Sequence, residues 1–512
     1  MYCNITSCSV LGVDPIPINV EVDVSPGLPS FSVVGSPGAE IKEAKDRVFT
    51  ALKNSGLGAP LSKITVNLYP ADLRKDGTGL DLPIAVGILI SSGQLKTEII
   101  RDTWMIGELG LNGEVKPVKG VLPVVAKASS LGVKNIIVPA GNAGEATLIR
   151  GINILCATDI SSVYNYLKDP NSAPLDSPEY TDDSESDDLL SPEYDFIQVS
   201  GQETAKRASI ISAAGFHSML MSGPPGVGKS LIAKCIPGIL PPLSEKEKIE
   251  MTTIMSVAGK LSDKKALIKS RGFEAPHHSI TVHGLLGGGA TPKPGAVTLA
   301  HRSVLFLDEL TEFDRHTLDA LRQPIEDKKV HISRVNYQVE FPADFLLVCA
   351  MNPCPCGYYP DRNKCNCTEP EIKRYLGKIS GPVLDRIDLC VEMTPIKLSD
   401  MKAGNNTMSS LEMRQKVISA RNMQKKRYAN TAYRFNSELK GSDIEKYCHL
   451  GEKEKALAET LYEKLSLSLR SYHRMLRISR TLADLDESEE IQIKHLYEAA
   501  SFRPNPSYWQ KM

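Results

Sequence analysis

Apolar residues recur along this chain with two periods, and the change between them divides it. In "INVEVDVS" (18–25) and "SKITVNLYP" (62–70) every second residue is apolar, the pattern of a half-buried strand. "NIIVPA" (135–140) is a short apolar run ending in Pro and reads as a further strand. "AEIKEAKDRVFTALKNSG" (39–56) and "VLPVVAKASSLG" (121–132) bring apolar residues round every three or four positions, which predicts helices. Residues 1–168 therefore read as an α/β unit. Residues 169–195, including "PNSAPLDSPEYTDDSESDDLLSPEYD", are rich in Pro, Ser and acid, so they predict an acidic flexible linker. Strand signals return over 196–395, giving a second α/β unit. From 396 to 512 they stop. "SSLEMRQKVISARNMQKKRYA" (409–429) and "GEKEKALAETLYEKLSLSLRSYHRMLRISRTLADL" (451–485) carry helical spacing alone, which predicts an all-helical end. No internal repeat is visible.

Composition narrows the class without choosing a function. Of 512 residues, 42% are hydrophobic and 24% charged, as in ordinary globular proteins. The formal net charge of −1 excludes a field that would coat the whole surface with nucleic acid or acidic lipid, so any basic contact is local. The first residues show no basic stretch followed by an apolar core. The most apolar run, "LDLPIAVGILISSG" (80–93), is too short to span a bilayer and carries Asp81 and Pro83. The expectation is a cytoplasmic, reducing location with no membrane contact, where clustered cysteines read as metal ligands before disulfides.

Chemistry appears first in "GPPGVGKS": Gly223, Pro224, Pro225, Gly226, Val227, Gly228, Lys229 and Ser230. This is the full G-x-x-x-x-G-K-[ST] phosphate loop, with strand-like "HSMLMSG" before it and helix-compatible "KSLIAKCIPGIL" after it. The glycines let backbone N–H groups curl round phosphates at a helix N-terminus. Lys229 is predicted to reach the β and γ phosphates of ATP, and Ser230 to bind Mg²⁺. In "SVLFLDEL" (303–310) an apolar strand runs into Asp308 and Glu309. Acids at that strand end fall beside the phosphate loop, Asp308 to hold Mg²⁺ through water and Glu309 to polarise the attacking water. "DFLLVCAMN" (344–352) ends in Asn352, an amide able to orient that water or simply to form the turn before Pro353.

These pieces in this order resemble an AAA+ ATPase of the magnesium-chelatase-like branch. "RGFEAPHHSITVHGLLGGGATPKPGAVTLAHRSVLFLDELTEF", "MNPCPCGYYPDRNKCNC", "RYLGKISGPVLDRIDL" and "LRSYHRMLRISRTLADL" resemble the ComM/YifB family along essentially the whole chain. The resemblance implies a homo-oligomer, a hexameric ring, that hydrolyses ATP and acts as a DNA helicase promoting branch migration during recombination in natural transformation. It implies that Arg386 in "VLDRID" is the arginine finger reaching the neighbouring subunit's γ-phosphate, with Arg374 the alternative. It makes Arg470 in "LSLRSYHR" the second sensor, with Arg474 the alternative. Arginine suits both roles because it keeps its charge and forks onto phosphate oxygens. It also implies that 396–512 form a helical lid.

Cys354, Cys356, Cys365 and Cys367 form C-x-C-x₈-C-x-C within the central unit, an insertion over 354–367. The loop between the two arms has the turn formers needed to fold them onto one tetrahedral ion. Four thiolates make a closed, structural Zn²⁺ site; free thiols and redox pairs are the other readings. His277 and His278 in "PHH" lack a ligand pattern and read as a structural or substrate-facing loop.

"LRKDGTGLDLPIAVGIL" (73–89) and "GELGLNGEVKPVKGVLPVVAKA" (107–128) resemble the Lon-type peptidase domain. The positions of its nucleophilic Ser and general-base Lys hold Gly79 and Leu122 here. Thr78 is the nearby hydroxyl, and Lys119 and Lys127 have no nucleophile to serve. A dyad needs both groups within reach, so an inactive scaffold is expected, binding DNA or a protein partner. For DNA, "EDKKVHISRVNYQVEFP" (326–342) predicts a hairpin carrying Lys328, Lys329, His331 and Arg334, and "HGLLGGGATPKPG" (283–295) a loop carrying Lys293. No base-reading motif is present, so backbone contact to single-stranded or branched DNA is expected. The rival reading is a chelatase-like or protein-remodelling motor acting on a protein partner.

Overall fold

The computed structural model describes residues 2–96, 98–178, 193–261, 266–289, 291–334, 337–395 and 408–503. Strand Tyr2–Leu11 turns through Gly12 and pairs antiparallel with Asp14–Ser25. Gly12 sits at φ +67°, a conformation that costs Gly little. Asp14–Ser25 pairs in turn with Lys63–Tyr69, and Ser30–Val34 closes the four-stranded sheet in parallel. The period-2 pattern does what it predicts: Ile18, Val20 and Val22 are buried, while Asn19, Glu21 and Asp23 between them are only half-buried. Helix Ala39–Asn54 lays Ile41, Ala44, Val48, Ala51 and Leu52 on this core. The apolar run of 80–93 forms helix Asp81–Ser91, every residue of which is buried, so its uniform hydrophobicity reflects a core position. No helix among the described residues is long and apolar enough to cross a membrane. A parallel sheet of Thr103–Met105, Asn135–Pro139 and Asn153–Ala157 completes the block.

The chain does not leave this block at residue 169. Cys156 N–H donates to Asp176 O at 2.7 Å, and Ser177 Oγ donates to Asn153 Oδ1 at 2.9 Å, so Asp176 and Ser177 lie against the last strand. At the far end, Asp195 Oδ1 accepts from Ser410 N–H at 3.0 Å. Residues 179–192 of the predicted linker lie outside the described residues.

The central block is a five-stranded parallel sheet in the order Phe273–Glu274, Val304–Leu307, Leu346–Met351, Met219–Ser222, Leu389–Glu392. All strand residues of the three inner members are buried, as expected of a parallel sheet covered on both faces. Helices Ser410–Arg427, Glu452–Lys464, Leu469–Leu485 and Ile493–Ser501 form the C-terminal part. Met413, Leu476 and Leu496 belong to one hydrophobic cluster with Met219, Ile232 and Val304, so the helical part and the sheet share a core.

Among the described residues, the N-terminal block meets the central one at two places. Gly120 N–H donates to Ser256 O at 3.2 Å, and Ser256 Oγ donates to the buried Glu145 carboxylate. Glu145 also accepts from Asn142 Nδ2 at 2.7 Å and Leu122 N–H at 3.2 Å. Elsewhere Gly12 lies against Val339, and Tyr337 donates its hydroxyl to Asp76.

Candidate active site

The parallel register sets the site. Ser222, Leu307 and Met351 end adjacent strands, so the residues after them meet at one sheet edge. The phosphate loop follows Ser222 and opens helix Lys229–Ile239. Gly226 and Gly228 take φ +78° and +92°, the left-handed region a cradle of backbone N–H groups requires. Lys229 is buried, and its ammonium donates to Gly223 O at 2.6 Å, Pro224 O at 2.9 Å and Asn352 Oδ1 at 3.1 Å. Burial holds its pKa below the usual lysine value, against the opposing pull of Asp308 and Glu309. Ser230 Oγ donates to Asp308 Oδ2 at 2.8 Å. A hydroxyl and a carboxylate oxygen so placed are the hard oxygen donors that suit Mg²⁺. Glu309 stands at φ +50°, a strained conformation for a residue with a side chain, and its N–H donates to Asp308 Oδ1 at 2.9 Å. The five side chains singled out for nucleotide chemistry therefore occupy one edge.

One residue of this edge was missed as a site group. His278 follows strand Phe273–Glu274, and its Nδ1 lies 3.3 Å from Glu309 Oε2. His277 packs on it with ring centroids 4.1 Å apart. The "PHH" motif was visible, but its partner is 31 positions away and no local spacing joins them.

The four cysteines cover the same edge. Their sulfurs all lie within 4.8 Å of one another, with Cys354 to Cys356 at 3.3 Å and Cys354 to Cys365 at 3.7 Å. Four thiolates round one tetrahedral zinc stand about 3.8 Å apart, so the donor set fits that ion. Gly357, at φ +85° inside this loop, lies flat on the phosphate loop: a Cβ there would sit 2.8 Å from Pro225 Cδ.

Arg386, Arg470 and Arg474 occupy the opposite edge. Arg386 precedes Leu389–Glu392, whose strand runs parallel to Met219–Ser222, and Ser218 Oγ donates to Arg386 O at 2.8 Å. Arg386 Nη2 meets Glu326 Oε1 at 2.5 Å, and Arg470 Nη2 meets the same oxygen at 3.3 Å. Both line a cleft of about 1020 Å³. Arg474 is buried and donates to Ile387 O and Ser471 Oγ, which ties the helical part to the Arg386 turn. Arg374 is exposed on helix Glu369–Leu376.

The basic candidates separate. Strands Lys329–Arg334 and Tyr337–Pro342 form the expected hairpin. Lys329 is exposed beside Glu340 at 2.5 Å, His331 is 3.4 Å from the same carboxylate, and Arg334 reaches His283 at 3.4 Å. Lys293 is exposed in a short strand paired with Gly287–Gly288. Lys328 differs: its ammonium is half-buried between Glu438 and Asp344, where two carboxylates neutralise it at the hairpin's base.

In the N-terminal block the peptidase positions are closed. A Cβ on Gly79 would meet Ile106 Cγ1 at 2.9 Å. Leu122 is fully buried, and Thr78 donates its hydroxyl to Glu108. Lys119 lies along Gly259 of the central block.

Comparison with known proteins agrees with this architecture. Residues 195–401 match the family model for magnesium chelatase, subunit ChlI; 20–142 match subunit ChlI of Mg-chelatase, and 407–503 its C-terminal part. Competence protein ComM of Haemophilus influenzae is 40% identical over 505 residues, 98% of this chain and 97% of that protein. The uncharacterized protein YifB of Escherichia coli is 42% identical over 498 residues, 97% and 96% of the two chains. The chain belongs to the ComM/YifB family. As a ComM/YifB protein it has a central magnesium-chelatase-like AAA+ ATPase fold, ending in helices. The N-terminal block is also similar to Lon protease 2 of Bacillus subtilis, 33% identical over 124 residues, 24% of this chain and 22% of that one.

Proposed function

We propose that this ComM/YifB protein is a cytoplasmic, ATP-driven ring motor, a homo-hexamer that moves branched DNA during recombination. The observation that carries the motor reading is the split between the two sheet edges. Lys229, Ser230, Asp308, Glu309 and Asn352 gather at one, while Arg386 and Arg470 converge at the other. A strand runs about 3.3 Å per residue, so a four-residue strand separates them by roughly 13 Å. Arg386 then serves the phosphates of a second copy, which makes hydrolysis depend on assembly.

Lys229 holds the β and γ phosphates of ATP, and the loop N–H groups hold the rest. Mg²⁺, when bound by Ser230 and Asp308, neutralises charge developing on the phosphates. Glu309 takes a proton from the attacking water, which Asn352 orients. The close approach of His278 makes it a third group able to position the Glu309 carboxylate. Cys354, Cys356, Cys365 and Cys367 would hold a structural Zn²⁺, which would close the loop lying on Pro225 without taking part in the reaction. Elemental analysis is expected to give one zinc per chain, lost in Cys365→Ser.

Lys329, His331 and Arg334 of the hairpin and Lys293 of the short loop supply the basic contact; Lys328 is engaged within the fold. The relative's printed name, competence protein, supports recombination as the setting. The deciding experiment is ATPase activity with and without four-way or forked DNA, on wild type and Glu309→Gln. DNA is expected to stimulate the wild type, and Glu309→Gln to bind ATP without turnover. Stimulation by a protein partner alone would replace DNA with the remodelling or chelatase-like reading and leave the motor intact.

A further inference from the structure

We infer that Glu326 is a resting counter-ion that competes with a neighbouring copy's γ-phosphate for Arg386 and Arg470, and so restrains hydrolysis until the hairpin moves. The inference rests on the reading of Arg386 as a group that acts in trans.

Three observations support it. First, both guanidiniums converge on a single oxygen, Glu326 Oε1, at 2.5 and 3.3 Å. Two cations aimed at one point form an anion site, and a phosphate oxygen makes the same charge-assisted contacts as a carboxylate oxygen. Second, the arginine is fixed and the acid is not. The Arg386 side chain is 9% exposed and donates through Nη1 to Pro382 O at 2.6 Å, whereas Glu326 is 47% exposed. The Arg386 Nε is buried without a hydrogen-bond partner among the described residues, so it adds no contact holding the guanidinium to Glu326. An ion pair with so exposed an acid is weakly held, which lets another anion replace it.

Third, Glu326 is attached to the segment that would sense substrate. It lies in helix Arg322–Asp327, which ends at Lys328 with φ +57° and continues directly into the hairpin strand Lys329–Arg334. Lys328 pairs at that junction with Asp344 and Glu438. A load on the hairpin that releases this pairing pulls on the last turn of the helix, where Glu326 sits two residues before the junction. Withdrawal of its carboxylate bares both arginines together. Glu326 is a positioning residue: it touches no substrate and acts through the two guanidiniums.

The test is steady-state ATPase activity of the full chain as a function of ATP and protein concentration, with and without four-way DNA. The variants are Glu326→Gln, Glu326→Ala, Glu326→Asp, Arg386→Ala and the Glu326→Gln/Arg386→Ala pair. Glu326→Gln and Glu326→Ala are expected to raise the DNA-free kcat by up to about fivefold, the range an exposed ion pair can restrain. Both are expected to leave KM for ATP little changed, to reach half-maximal activity at lower protein concentration, and to shrink stimulation by DNA in proportion. Glu326→Asp, which keeps the charge, is expected to restore restraint. The double variant is expected to be as inactive as Arg386→Ala. If Gln and Ala variants that melt like wild type show a DNA-free kcat at or below wild type while Arg386→Ala is inactive, the competition is wrong and the trans arginine stands. If Arg386→Ala keeps full activity, the reading of Arg386 falls, and the competition with it.

Discussion

The N-terminal and central blocks are both α/β, with apolar strands and helices packed into buried cores, yet they differ at the few positions that carry chemistry. In the central block, polar side chains after adjacent strands touch one another: Lys229 meets Asn352, and Ser230 meets Asp308. In the N-terminal block, the two positions of a peptidase dyad hold Gly79 and Leu122, one pressed on Ile106 and the other sealed in the core. The comparison teaches that apolar positions set a fold while a handful of polar ones set the chemistry placed on it, and that the first set stands without the second. Leu122 N–H donates to Glu145, and the Glu145 carboxylate accepts from Ser256 across the boundary between blocks.

The sharpest break in the comparison is Lys229→Ala. Loss of the one ammonium placed for the phosphates is expected to lower ATPase activity by about 100- to 1000-fold, as for other removed preorganised donors, with folding little disturbed. Titration of ATP turnover beside a melting curve checks both halves. In the other block, Leu122→Lys restores the base of the dyad but has the opposite balance. An unpaired ammonium in an apolar core is expected to cost about 3 kcal/mol or more of stability and to give no cleavage of unfolded protein, even combined with Gly79→Ser. Chemical denaturation and a peptidase assay measure the two outcomes.

The smallest effect concerns the helix on which the N-terminal block rests. Glu250, on helix Glu245–Ala258, is held down to about 2 by the hydrogen bond from His301 and by the Arg302 guanidinium, against burial. A lowered carboxylate pKa stabilises the fold fully above the ordinary value of 4.5, and that stabilisation fades as pH falls from 4.5 towards 2. Glu250→Gln is expected to lower the melting temperature by a few degrees at pH 7, and the gap from wild type to narrow below pH 4.5.

Much of this was legible from residue order. Alternation in 18–25 gave the buried set Ile18, Val20 and Val22, and the phosphate-loop spacing located Lys229 and Ser230 beside Asp308. Local patterns succeeded where the physics is local. They failed where a partner lies far along the chain. Lys328 read as a free basic residue because its partners Asp344 and Glu438 lie outside the hairpin, Glu438 110 positions away. The convergence of Arg470 on Glu326 spans 144 positions, and no periodicity encodes it. The Pro- and Ser-rich composition of 170–178 hid the backbone pairing of Asp176 with Cys156, which composition does not report.

Gly357 lying flat on Pro225 joins two fates. A chelator or an oxidant reaching the thiol cluster would disturb the floor on which a triphosphate rests, although neither reagent touches the nucleotide. On the reading that the cluster holds zinc, the engine would then idle whenever the cell's zinc supply or thiol balance faltered, with every residue of its combustion chamber intact.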